Sequence, residues 1–187
     1  MAKDQNVIDL LLEQHQEIKR LFTTVSAATG DAKRDTFDDL VRLLAVHESA
    51  EEQIVHPVAR RQGEAAEAVV QARLDEEDEA KKALADLYDL GVDHPEFDSR
   101  LEAFATDVLV HAMHEEQEEF PRLREAVSDE RLKTMAGALK AAEAVAPTRP
   151  HRAAGESAMA NVVAGPPLAV FDRVRDAVRD WSKKNAA

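Results

Sequence analysis

The chain has 187 residues, 44% hydrophobic and 33% charged, and no cysteine, which excludes disulfides, iron–sulfur clusters and thiol catalysis. Aromatic residues make up only 4%, and no run alternates cleanly between polar and apolar, so strand signals are nearly absent. A formal net charge of −13 argues against nucleic acid and anionic membrane surfaces as partners, because both repel an acidic protein.

The N-terminal MAKDQNVIDLLLEQH lacks a basic region followed by a long apolar run. No secretory signal or membrane span is expected, and the expected compartment is the cytoplasm. The first predicted helix covers about residues 5–28. Its apolar stripe is Ile8, Leu11, Leu12, Ile18, Leu21, Phe22 and Val25, with His15 in the middle. Gly30 is read as a turn. The second helix, about 33–61, carries Phe37, Leu40, Val41, Leu44, Ile54, Val55 and Val58, and His47 and Glu51 fall inside that stripe.

After Gly63 comes a third helix, about 64–90, with Val70, Leu74, Leu84, Leu87 and Tyr88 on one face and Glu77 among them. Beyond Gly91 the fourth helix is expected over about 95–126, with Pro95 in its first turn. Its stripe of Phe97, Leu101, Phe104 and Val108 runs on into His111 and Glu115. Short connections favour antiparallel neighbours, so the fold expected for residues 1–145 is all-α: an up-down four-helix bundle, with a further short helix at about 129–143.

Composition changes after Val145. Four of the seven prolines lie between Pro147 and Pro167, as in an extended linker. Beyond them Leu168, Phe171, Val174, Val178 and Trp181 share one helical face. Residues 146–187 are therefore expected to form a Pro-rich linker and an amphipathic helix that docks on the bundle or on a partner protein.

His15, His47, Glu51, Glu77, His111 and Glu115 all interrupt apolar stripes near the midpoints of their helices. In an antiparallel bundle midpoints share one level, so the six would meet in one layer of the core. Buried carboxylates without partners cost several kcal/mol each or stay protonated. Metal ions supply the opposite charge and occupy the lone pairs. The His-x-x-x-Glu spacing of His47 with Glu51 and His111 with Glu115 puts both side chains of each pair on one helix face. The alternative is a structural polar layer without metal.

The two pairs lie in an internal repeat. HESAEEQIVHP from His47 and HAMHEEQEEFP from His111 share the His, the Glu-Glu, the Gln and a Pro ten residues on. EQHQEIKRLF and DEEDEAKKAL align as well, with Glu77 opposite His15. Two helix pairs related by a pseudo-two-fold are a natural frame for two metals.

These residues resemble the hemerythrin-like, HHE cation-binding family, over about residues 5–127. The resemblance implies two non-haem irons bridged by carboxylates and by an oxo or hydroxo group. Glu51 and Glu115 would be the bridges, His15 and His47 would serve one iron, and Glu77 and His111 the other. The departure is Glu77, which stands where oxygen-carrying members have histidine. Hard anionic ligands favour ferric iron. The expected chemistry is therefore reaction with peroxide or dioxygen, of catalase or oxidase type in oxidative stress. The alternative is a sensing, storage or carriage module without turnover. No other nucleophile or acid–base constellation is visible.

The remaining histidines are expected outside the site. His114 is placed on a solvated edge, His94 in a turn and His151 in the linker. His56, just before Pro57 at a helix end, is expected away from the central layer, at the surface or backing a ligand. Glu48, Glu52 and Glu116 adjoin the ligands but are rotated about 100° from them, onto solvated faces. Glu48 is the reserve ligand.

Overall fold

The structure, a computed structural model, describes residues 5–145. The linker and terminal helix expected over 146–187 lie outside the described residues. Helix α1 (Val7–Ala27) starts at a capping box: the Asn6 side chain accepts from the Asp9 N–H at 3.1 Å, and the Asp9 carboxylate accepts from the Asn6 N–H at 3.4 Å. A two-residue break leads to α2 (Gly30–Ala50), so Gly30 begins the second helix at φ +55° instead of lying in a longer turn.

The second and fourth expected helices are each interrupted. After α2 the chain makes a π turn over Glu51–Val55, then α3 (His56–Ala59) and a 3-10 turn (Arg60–Gln62). Gly63, at φ +120°, takes a backbone conformation that a side chain would oppose, and starts α4 (Glu64–Leu90). Helix α5 (Phe97–His114) begins two residues after Pro95, and is followed by a second π turn (Glu115–Glu119) and α6 (Phe120–Ala126).

Both π turns stop where a proline follows. The His56 N–H reaches back five residues to the Glu51 carbonyl, and the Phe120 N–H five residues to the Glu115 carbonyl. Pro57 and Pro121 come next. A proline has no N–H to give, and its ring crowds the carbonyl four residues earlier. Widening the preceding turn by one residue relieves that crowding and keeps the chain helical.

Helix α1 packs on α2, α5 and α7 (Asp129–Val145), and α4 packs on α5. Among the described residues the architecture is thus all-helical: the four-membered core predicted from the stripes, with α7 as a fifth helix laid against α1 and α2. Helix α7 brings Leu132, Met135, Ala136 and Leu139 into the core. Phe37, Phe97 and Tyr88 close one end of the bundle by ring contacts, with Phe37 and Phe97 edge to face at 5.1 Å. No helix among the described residues is long and apolar enough to cross a membrane.

Leu11 has no solvent exposure and lies one turn before His15. Leu11→Ala should lower the stability of the metal-free protein by about 3 kcal/mol, read from urea denaturation, because it leaves a cavity in a packed interior.

Candidate metal centre

The six residues singled out in the sequence come together in the bundle's core. Glu51, Glu77 and Glu115 have no exposure, and His15, His47 and His111 have 6% or less. They form two groups whose ligand atoms lie within 4.8 Å of one another. One group is His15, His47, Glu51 and Glu115; the other is Glu51, Glu77, His111 and Glu115. Glu51 and Glu115 belong to both. Each comes from the first residue of a π turn, so the two bridge positions are also the two points where the helices widen.

The four buried imidazoles share one orientation rule. Each Nδ1 faces an oxygen acceptor: His15 on Glu116 at 2.8 Å, His47 on Gln14 at 3.0 Å, His56 on Glu119 at 2.9 Å and His111 on Glu76 at 2.9 Å. A proton held on Nδ1 leaves the Nε2 lone pair to point inward, which is how metal-binding histidines are usually set. Phe120 adds to this by stacking on His15, with 5.7 Å between centroids and 16° between planes.

The inner atoms crowd one another. His15 Nε2 stands 3.0 Å from His47 Nε2 and 3.2 Å from Glu115 Oε2. His47 Nε2 is 3.4 Å from Glu51, and His111 Nε2 is 3.3 Å from Glu115. Two ligand atoms at a right angle on one ion, each about 2.1 Å from it, stand about 3 Å apart. Meanwhile both oxygens of Glu51, both of Glu115, Glu77 Oε2 and His111 Nε2 are buried without a hydrogen bond. Native cores rarely tolerate so many orphaned polar atoms. The donor set therefore fits metal.

Charge in the protein-only cluster is divided unequally. Burial, reinforced by the charges of Glu115 and Glu77, pushes the Glu51 carboxyl well above its ordinary range. Burial also raises Glu48, to about 8, with the Glu77 charge adding to it. Glu115 goes the other way: against its burial, the close approach of His111, with His15 and His47 adding to it, holds it well below normal. For His111, burial is outweighed by Glu115 and Glu76, and its pKa rises to about 11. His47 is pushed well down by burial and by His15.

Two expectations are corrected here. His56 takes the second of its two expected places, backing a ligand, but within the core and not away from the central layer: it is 2% exposed, its Nε2 lies 2.6 Å from Glu77 and its Nδ1 2.9 Å from Glu119. Against the cost of burial, these two carboxylates raise its pKa to about 10. The extra residue in the first π turn makes the step of five from Glu51 to His56 close to one turn, so His56 returns to the Glu51 face. In the second half of the repeat the same position is Phe120, while Glu119 matches Val55. His56, Glu115 and Glu119 also lie close enough to hold an ion together.

Glu48 is likewise buried, at 3% exposure, between α2, α4 and α5. Glu52 is bonded to Lys81, and Glu116, 38% exposed, supports His15. His114 shares Glu76 with His111 at the edge of the site, and His94 accepts the Glu96 N–H within its turn. His151 lies outside the described residues. The acceptors Gln14, Glu76 and Glu119 were not singled out in the sequence. Only Glu119 left a signal there, as a carboxylate where the repeat has valine.

Comparison with known proteins gives a consistent picture. The profile of the Hemerythrin HHE cation binding domain matches residues 6–123. A DNA nickase of Nostoc sp. is 28% identical over 142 residues, which are 75% of this chain but 40% of that protein. The chain thus spans well under half the length of that relative. An uncharacterized hemerythrin-like protein of Schizosaccharomyces pombe is 23% identical over 96% of this chain and 89% of its own length. Among solved structures, a hemerythrin HHE cation-binding domain-containing protein from Mycobacterium kansasii superposes with a TM-score of 0.65. It is 24% identical, and the match covers 73% of this chain and 86% of that one, which establishes the fold.

Glu48 yields a pH test. Its native pKa of about 8 stands above the ordinary 4.5, so the folded protein holds a proton that the unfolded chain releases between those values. Its contribution to stability falls as pH rises through that window. In metal-free protein, Glu48→Gln should raise stability by on the order of 3 kcal/mol at pH 8 and little at pH 5. Urea denaturation at both pH values measures the difference.

Proposed function

The chain belongs to the Hemerythrin HHE cation-binding domain family, and from that premise we propose that its core holds two non-haem iron ions and reacts with hydrogen peroxide or dioxygen. The observation that carries the reading is the pair of four-residue groups joined through Glu51 and Glu115. His15 and His47 would hold one ion and Glu77 and His111 the other, with Glu51 and Glu115 shared between them. Iron so bound would relay electrons from one peroxide molecule to another, giving two waters and one dioxygen, while ferrous iron would reduce dioxygen at the cost of its own oxidation to ferric.

The protein's own contribution is orientation, proton placement and exclusion of bulk water. Gln14, Glu76 and Glu116 hold three imidazoles with Nε2 inward. His56 holds a proton between Glu77 and Glu119, beside the cluster and shielded from solvent. The ligand groups are almost wholly buried, so the substrate class is a small, neutral molecule. Three carboxylates among six ligands favour ferric iron and speak for turnover over oxygen carriage.

The Nostoc relative's nickase activity is not part of this proposal. The match covers 40% of that protein, and a chain of net charge −13 is poorly suited to DNA.

Loading with ferrous iron should give about two irons per chain and raise the melting temperature, because bound metal adds its binding free energy to folding. His47→Ala should lose most of both effects. Elemental analysis with calorimetry measures them, and iron content near zero in the wild type would sink the reading. Binding should tighten with rising pH: His111, with a pKa of about 11, must lose a proton at Nε2 to become a ligand.

Glu77 should decide the chemistry. Removing a unit charge from the ligand set, partly offset by His56 and Lys81, is worth on the order of 100 mV. Glu77→His should therefore raise the reduction potential by about that much and slow air oxidation, as followed by a redox titration and stopped-flow mixing with oxygen. If the wild type already binds and releases oxygen reversibly and leaves peroxide untouched, the reading gives way to carriage or sensing.

A further inference from the structure

A cleft of about 530 Å³ opens between α4 and α5 and ends on two buried side chains of the core, Glu48 and His111. Ala80 and Ala83 also line it, and their short side chains leave space between the helices. Its walls carry Asp75, Glu76, Glu79 and Asp107, and no lysine or arginine lines it. Arg73 and Lys82 pair from outside with Glu76 and Glu79, and Asp75 accepts from Gln71. Asp107 makes no ion pair among the described residues.

At the inner end the acidity has a target. Glu48 is 3% exposed, lines the cleft, and its Oε2 is buried without a hydrogen-bond partner. His111 lines the same cleft on one side and touches Glu115 on the other. The cleft thus leads from a rim of carboxylates, past Val108 and Val110, to Glu48 and His111, and, His111 aside, all the charged side chains that line it are acidic.

We propose that this cleft is the loading route for the metal: a hydrated divalent cation is drawn in by the rim carboxylates, held by Glu48 at the inner end, and passed to His111 and Glu115. The idea rests on the cluster binding metal, as set out above. A cation with six waters needs roughly 200 Å³ at about 30 Å³ per water, so the cleft admits it intact. A concave, low-dielectric channel lined by one sign of charge focuses its field and raises the local concentration of counter-ions, increasing association rates by about tenfold or more. The same field repels anions while leaving peroxide and dioxygen, which are neutral, unaffected.

The test is the rate at which metal-free, full-length protein takes up Co2+, a redox-inert probe, followed by its visible bands in a stopped-flow instrument. Neutralising the exposed rim with D75N, E79Q and D107N together should slow uptake by about tenfold at low salt and flatten its salt dependence. The amount of Co2+ bound at equilibrium should not change. Glu48→Gln, which keeps the shape and removes the carboxylate oxygen that would take the cation, should slow uptake in a wild-type rim. A control neutralising Glu64, Glu125 and Glu130, exposed elsewhere, should stay within about twofold of wild type.

Uptake at the wild-type rate in both the rim triple variant and Glu48→Gln, with full Co2+ content, overturns the loading route and leaves the metal site standing. Loss of equilibrium Co2+ in the rim variant also overturns it, since the carboxylates would then hold metal and not pass it on. Absence of Co2+ binding by the wild type itself overturns the metal site along with the route.

Discussion

Glu51 and Glu115 sit at the centre of an aliphatic core with none of their four oxygens hydrogen-bonded. A carboxylate in such a place costs several kcal/mol unless something of opposite charge meets it. The protein meets that cost unevenly from within. His111 and His15 approach Glu115, whereas Glu51 has His47 nearby and is pushed toward its protonated form. Metal bound by these groups would supply the opposite charge that their oxygens lack. The helices, the π turns and the orienting hydrogen bonds all follow from the need to hold both carboxylates at one level.

The π turns do that holding. In a straight α-helix the residues near Glu51 and Glu115 that face the core recur every three or four positions. One extra residue per turn changes which side chains come next. In the first half it returns His56 to the centre, against Glu77 and Glu119. In the second half it places Phe120 over His15. The pseudo-two-fold of the backbone is therefore kept, while the side chains break it: one half offers an imidazole with a carboxylate partner, the other an aromatic face. The pocket around one set of ligands is charged and hydrogen-bonded, and around the other it is partly apolar.

Around the core the acceptors form a second, more exposed shell. Glu76 serves His111 and His114 and is tied to Arg73, and Glu116 serves His15 from the surface. His111 and His15 are thus oriented by partly exposed groups, whereas Gln14 and Glu119, which orient His47 and His56, are themselves buried. The strong negative charge of the chain has a local expression too, in the cleft between α4 and α5 that ends on Glu48 and His111.

The amino-acid order by itself determined the bundle and its central layer. Stripe periodicity located the four long helical segments, because only one face of each can be buried. The same stripes exposed His15, His47, Glu51, Glu77, His111 and Glu115, because a charged or imidazole side chain on that face must enter the core wherever the helix goes. The matching of those residues to a known pattern agrees with the profile found over residues 6–123. What the order could not reveal depends on the helices being bent and packed. A constant rotation of about 100° per residue puts His56 on a solvated face, and only the widened turn before Pro57 returns it to the core. That rule also sends Glu48 to solvent, and only the approach of α4 and α5 buries it. The acceptors Gln14, Glu76 and Glu119 became visible last. Their roles depend on where the imidazoles of other helices arrive, which is a property of packing and not of any one segment.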